Sequence, residues 1–103
     1  MALSSKERAT LRGEAHKLTA AVHIGQHGVT PAVRATVDDA IRTHELVKIA
    51  FTKNASVTVK DAANDLAGSV GADVVQVIGK TATLYRENPD LKRKAGVPPW
   101  RPA

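Results

Sequence analysis

Two kinds of hydrophobic spacing take turns along this chain, and that alternation limits it to an α/β architecture. Leu11, Ala15 and Leu18 recur at i, i+4 and i+7, the spacing of one helical face. Val33, Val37 and Ile41 form a second such stripe, and Val59, Ala62, Ala63, Leu66 and Val70 form a third. Between and after them lie short apolar runs at residues 20–24, 46–52, 73–78 and 81–86, which predict strands. In the second run Val47, Ile49 and Phe51 face one way and Lys48 and Thr52 the other, so one side of the sheet is expected to be wet. The order α-β-α-β-α-β-β predicts one α/β domain with a mixed sheet of four strands. Its last two strands must be antiparallel, and the helical crossovers favour parallel pairing elsewhere.

The element boundaries carry their own signals. Ser4-x-x-Glu7 is a capping box, in which two side chains satisfy two free backbone donors at a helix start. Thr30-Pro31 combines an N-cap with a proline at the first helical position, where its missing N–H does no harm. That helix should run to His44. A turn is expected at residues 53–56, and Gly71 is suited to close the third helix in a left-handed conformation. Gly79-Lys80, a two-residue loop opening with glycine, predicts a tight hairpin.

With 103 residues the chain has room for one domain. Phe51, Tyr85 and Trp100 are its only aromatic residues, so Val, Ile, Leu and Ala must fill the core. It has no cysteine, which excludes disulfides and thiolate metal sites and fits a reducing compartment. No apolar run has the length of a signal peptide or a membrane helix, so a cytoplasmic protein is expected. The net charge is +5, which points to a polyanionic partner. The excess gathers at the ends: Lys6, Arg8, Arg12 and Lys17 face Glu7 and Glu14, and Lys92, Arg93, Lys94 and Arg101 face Glu87 and Asp90. Clustered cations suit a phosphate backbone, although solvated termini that aid solubility would look the same. Residues 87–103 hold four prolines and are expected to form a basic, poorly ordered tail after a domain at residues 1–86.

The segment Gly25-Gln26-His27-Gly28 lies between a strand and a capped helix. Glycines let a phosphate approach the backbone, and the following helix aims its positive end at the same place. A GxxG loop of this kind clamps the sugar-phosphate backbone in KH modules, yet two glycines in an ordinary strand-to-helix turn are common. His27 could stack on a base or donate to a phosphate. Lys48, Lys80 and Arg86 lie on or beside strands and could touch phosphates. Arg34, in the first turn of its helix, works against the helix dipole, which hints at a functional reason. Tyr85 could stack on a base, but core packing is the simpler reading. The histidines at 16, 23, 27 and 44 show no metal-binding spacing. Asp38 and Asp39 are adjacent and point about 100° apart on a helix. Asp61 and Asp65 share a face that is more simply solvated. Walker, nucleophile-elbow and dinucleotide-binding motifs are absent. These features predict a non-enzyme with no cofactor and no metal.

Three segments, in order, resemble a known family: Ile24-Gly-Gln-His-Gly-Val-Thr-Pro31, His44-Glu-Leu-Val-Lys-Ile49 and Val75-Gln-Val-Ile-Gly-Lys-Thr-Ala-Thr-Leu-Tyr-Arg86. With the opening Leu3-Ser-x-Lys6 and Gly13-x-Ala-His16, they look like the CRM domain, and more narrowly the YhbY-like bacterial proteins that consist of it alone. The resemblance covers about residues 3–86. It implies the α-β-α-β-α-β-β fold, similar to the C-terminal domain of translation initiation factor three. It also implies RNA binding through the loop Gly25, Gln26, His27 and Gly28, with no membrane or small-molecule partner. Stand-alone members associate with precursors of the large ribosomal subunit, and plant relatives act in organellar intron splicing. Ribosomal RNA is thus the expected partner of a monomer, with Arg34, Lys48, Lys80 and Arg86 extending the contact. The second loop position is often lysine in this family; here it is Gln26, which removes a cation. The rival expectation is a protein-interaction module on the ribosome with incidental RNA contact.

Overall fold

Local capping chemistry sets where each helix begins. A computed structural model describes residues 4–53 and 58–87. The expected basic tail, but for Glu87, and most of the turn at residues 53–56 lie outside them. Helix α1 (Ser5–Ala15) starts at the capping box: Glu7 N–H donates to Ser4 Oγ at 3.1 Å, and Ser4 N–H donates to Glu7 Oε1 at 3.2 Å. It stops before Leu18, which packs inward from beyond the helix end. Helix α2 (Pro31–His44) starts as expected at Thr30, whose hydroxyl accepts from Val33 N–H. Helix α3 (Val59–Val70) is capped by Thr58 and closed by Gly71 at φ +68°.

The strands are β1 (Val22–Ile24), β2 (Leu46–Phe51), β3 (Asp73–Ile78) and β4 (Thr81–Tyr85), in the expected chain order. They form one sheet in the order β1-β2-β4-β3. β1 pairs parallel with β2, and the other two pairings are antiparallel. One parallel pair is therefore fewer than the crossovers suggested. β2 and β3 run the same way across α3, but β4 lies between them. The reason is burial: Ala82, Thr83 and Leu84 of β4 are all buried, whereas β3 leaves Val77 and Ile78 exposed and takes the edge.

The sheet separates two apolar clusters. On one face α2 and α3 cover Ile24, Val47, Ile49, Phe51, Ala82 and Leu84 with Val37, Ile41, Ala63, Leu66 and Val70. The three alanines of α3 at 62, 63 and 67 let the helix lie close to the strands. On the other face α1 covers only Leu46, Val75 and Tyr85, with Leu11 and Leu18. On the expected wet side Thr83 is buried as well, Lys48, Ala50 and Thr81 are half-buried, and His23 is exposed. A bulge between Val74 and Gln76 turns Val75 toward α1, while Val74 packs on the larger cluster. Tyr85 is half-buried there, as packing predicts.

Between α2 and β2 the chain reverses on one residue. Glu45 has φ +63°, a conformation that strains an L side chain by about 1–3 kcal/mol. The turn is held because its N–H donates to Ile41 O at 2.8 Å and its carbonyl accepts from Arg86 N–H at 3.0 Å. The Arg86 guanidinium then reaches Asp38 Oδ1 at 3.1 Å and the Val70 carbonyl, tying β4 to the middle of α2 and the end of α3. Arg42 donates to Asp38 Oδ2 at 2.6 Å. The hydrogen bonds from Arg42 and Arg86 hold the Asp38 carboxyl below its ordinary value of 3.8, against partial desolvation.

Two measurements check this account. Gly68 lies inside α3 with open space around its Cα, and Gly71 has positive φ. Gly68→Ala should stabilise the fold by about 0.5–1 kcal/mol, and Gly71→Ala should destabilise it by about 1 kcal/mol, read as opposite shifts in urea midpoint at constant m. Asp38, with a depressed folded pKa, adds stability that is present above about pH 5 and lost as pH falls through the folded value. The stability gap between wild type and Asp38→Asn should therefore be level near neutrality and close in acid.

Candidate nucleic-acid interface

The parallel β1–β2 pair and the β3–β4 hairpin bring three loops to one end of the sheet. β1 and β2 both finish there, so the glycine loop follows Ile24 beside Thr52 and Lys53. Thr52 N–H donates to Ile24 O at 2.9 Å. The hairpin turn is one strand further over: Phe51 N–H donates to Lys80 O at 2.8 Å. Lys80 and the glycine loop, 52 residues or more apart in sequence, thus share one rim.

The glycine loop is a closed turn. Gly28 N–H donates to Gly25 O at 3.0 Å, and Gln26 and His27 stand exposed at its tip. Gly28 has φ +65°, which favours glycine for the fold alone. Gly25 differs. Its φ is not in the left-handed region, and a Cβ there would meet Thr52 Oγ1 at an ordinary 3.7 Å. Backbone geometry therefore does not demand glycine at position 25.

Helix α2 offers the loop less than its position promised. Pro31 has no N–H, Val33 N–H is held by the Thr30 hydroxyl, and Arg34 N–H is held by the Thr30 carbonyl. Ala32 is left to present its amide at the helix start. The helix dipole remains, and both α2 and α3 begin at this rim. Its side chains follow the same sign: Lys53, Lys60 and Lys80 stand near Asp61, with Arg34 and Asp65 paired to each other. At the far end, where both helices finish, Glu45, Asp73 and Glu87 stand with Arg42 and Arg86, and Asp38 and Asp39 lie midway along α2. The loop end of the sheet and these two helices thus carries their cationic excess.

The sequence-expected cations are divided by this geometry. Lys80 is exposed at the rim. Lys48 lies midway along β2 on the α1 face, half-buried. Arg34 turns to α3, where it pairs with Asp65 at 2.7 Å and donates to Ser69 Oγ. That partner explains the cation in the first turn of α2, for which the dipole argument gave no structural cause. Arg86 belongs to the far end, six residues along β4 from Lys80, about 20 Å in an extended strand. Lys53, Thr52 and His23 are positions the sequence reading did not select. His23 stands two residues before the loop, whereas only the strand register could bring Thr52 and Lys53 to it, since local spacing carries no record of which strand ends coincide. Among the described residues no three His, Cys, Asp or Glu side chains are grouped to hold a metal, and no helix is long and apolar enough to cross a membrane.

Comparison with known proteins agrees with the fold. The CRS1 / YhbY (CRM) domain matches residues 3–86. The Bacillus subtilis protein named Probable RNA-binding protein YqeI is 31% identical over 88% of this chain and 95% of its own length. A Haemophilus influenzae protein named RNA-binding protein is 33% identical over 87% of this chain and 91% of its own. The solution structure of SAV1595 from Staphylococcus aureus superposes with a TM-score of 0.75 at 30% identity, covering 88% of this chain and 95% of that one. The fold, the order of the three sequence motifs and these matches agree, and the chain belongs to the CRS1 / YhbY (CRM) domain family.

Proposed function

We propose that this protein binds RNA without chemical turnover, and that the glycine-loop rim is where it holds the phosphate backbone. The names of its relatives support RNA as the partner class. The observation that carries the placement is Gly25, a glycine the backbone does not require, next to exposed Gln26 and His27 and the cations Lys53 and Lys80. A missing Cβ leaves room for a phosphate against the main chain. The loop side chains can donate to it, and the two lysines and the converging helix starts supply positive potential where Gln26 supplies none. Lys48 extends the surface along the α1 face. Arg34 and Arg86 support it indirectly, by fixing α2 against α3 and β4 against both. The RNA we infer is ribosomal, in a precursor of the large subunit, and the role is assistance in its assembly by a monomer in the cytoplasm.

The test is fluorescence anisotropy with a large-subunit ribosomal RNA fragment across a salt series. Wild type should bind with a steep salt dependence. Gln26→Asp/His27→Asp should remain folded by circular dichroism and lose at least about tenfold in affinity, with a shallower salt slope. Gly25→Ala should change stability by less than about 0.5 kcal/mol yet weaken binding, because its new methyl group occupies the place of the phosphate. Equal affinity of both variants and wild type would remove the loop from the interface and favour a protein-docking module.

A further inference from the structure

Two of the sequence segments singled out above, the one ending at His16 and the one from His44 to Ile49, have no part in the loop rim. The second of them lines a pocket on the other half of the sheet, together with the chain that follows the first. β1 begins at Val22 opposite Ile49, so the first half of β2 has no strand on that side. The chain from Leu18 to Ala21 passes there instead, joined by one bond, Ala21 N–H to Lys48 O at 2.9 Å. The space between encloses about 200 Å³ and is lined by Leu18, Thr19, Ala21, His44, Leu46, Val47 and Lys48.

We propose that this pocket takes one unstacked base of the bound RNA, an inference that rests on the RNA-binding reading. Its volume is below the roughly 300–1,000 Å³ typical of drug-sized ligands, which suits a single base. Its walls are of the right two kinds. Leu18 and Ala21 give apolar surface for a base plane, over a floor closed by the buried Leu46 and Val47. The strand supplies an edge: in a regular strand N–H and C=O of one residue point to the same side, as do those of residues two apart. Because Lys48 O accepts from Ala21, the Lys48 N–H on the same side of β2 points into the notch, where it can donate to a base edge. No carboxylate lines the pocket, and Lys48 and the exposed His44 can reach a flanking phosphate. The phosphate itself is excluded from the pocket floor, since the negative end of α2 closes at His44.

The pocket also connects with the rim. β1 carries the chain from Ala21 to Gly25, four residues or about 13 Å. His23, exposed on the α1 face with Lys48, lies between them. A single strand could therefore run from the loop past His23 to the pocket. A continuous duplex keeps its bases stacked and cannot fill it. The preferred RNA then contains an unpaired nucleotide near the gripped backbone.

The experiment uses a short single-stranded oligoribonucleotide in which one base at a time is replaced by an abasic ribose, read by anisotropy against wild type, Ala21→Leu and Lys48→Gln. Ala21 is exposed, so Ala21→Leu fills the pocket without touching the core. Wild type should lose about tenfold at one abasic position. Ala21→Leu should show that loss already with the intact oligonucleotide and none further at that position, the signature of a coupled pair. Lys48→Gln should weaken binding and lower the salt slope by about 0.7, one single-strand phosphate. Wild-type affinity for Ala21→Leu, or an abasic penalty that persists in it, would overturn the pocket while loop variants still report on RNA binding. Failure of the wild type to bind any RNA would overturn the RNA reading and the pocket with it.

Discussion

The β2–β4 ladder is the constraint on which the rest of the molecule depends. β4 arrives last in the sheet and inserts between β2 and β3, pairing Leu46 with Tyr85 and Ala50 with Thr81. These partners are far apart in sequence, so closing them has an entropic cost that local structure cannot offset. Burial of Val47, Ile49, Ala82 and Leu84 against α2 and α3 offsets it. Once that register is set, one end of β4 delivers Lys80 to the glycine loop, and the other delivers Arg86 to Asp38 and Val70.

The same register gives the molecule its electrical polarity. Strands β1 and β2 end where α2 and α3 begin, so both helix dipoles present their positive ends beside the glycine loop. Lys53, Lys60 and Lys80 stand exposed there, while Glu45, Asp73 and Glu87 lie where the helices finish. Arg34 and Arg86 are drawn into ion pairs that hold the layers together, while Lys53 and Lys80 remain in solvent. Cations with stabilising partners and cations open to an anion are therefore sorted by position in the fold.

α1 has a different office. It covers only the half of the second sheet face that holds Leu46, Val75 and Tyr85. The strand edge beside Ala21 and the surface around His23 stay open as a result. The strained reversal at Glu45 belongs to the same region, between His44 and Leu46 of the pocket lining.

By itself the sequence determined the helices, the strands and the hairpin, since capping at Ser4 and Thr30, the glycines at 71 and 79 and the apolar periods are local signals. It also marked the loop Gly25–Gly28, in which a φ of +65° at Gly28 is a local requirement. Strand order was not legible: hydrophobic spacing tells which residues are buried and not which strand lies beside which. For that reason Lys53 and Thr52 were passed over, and Arg34 and Arg86 were grouped with the loop. Only the tertiary structure decided those assignments, because the partner that occupies a cation, Asp65 or Asp38, lies 31 or 48 residues away and is chosen by helix packing and strand register.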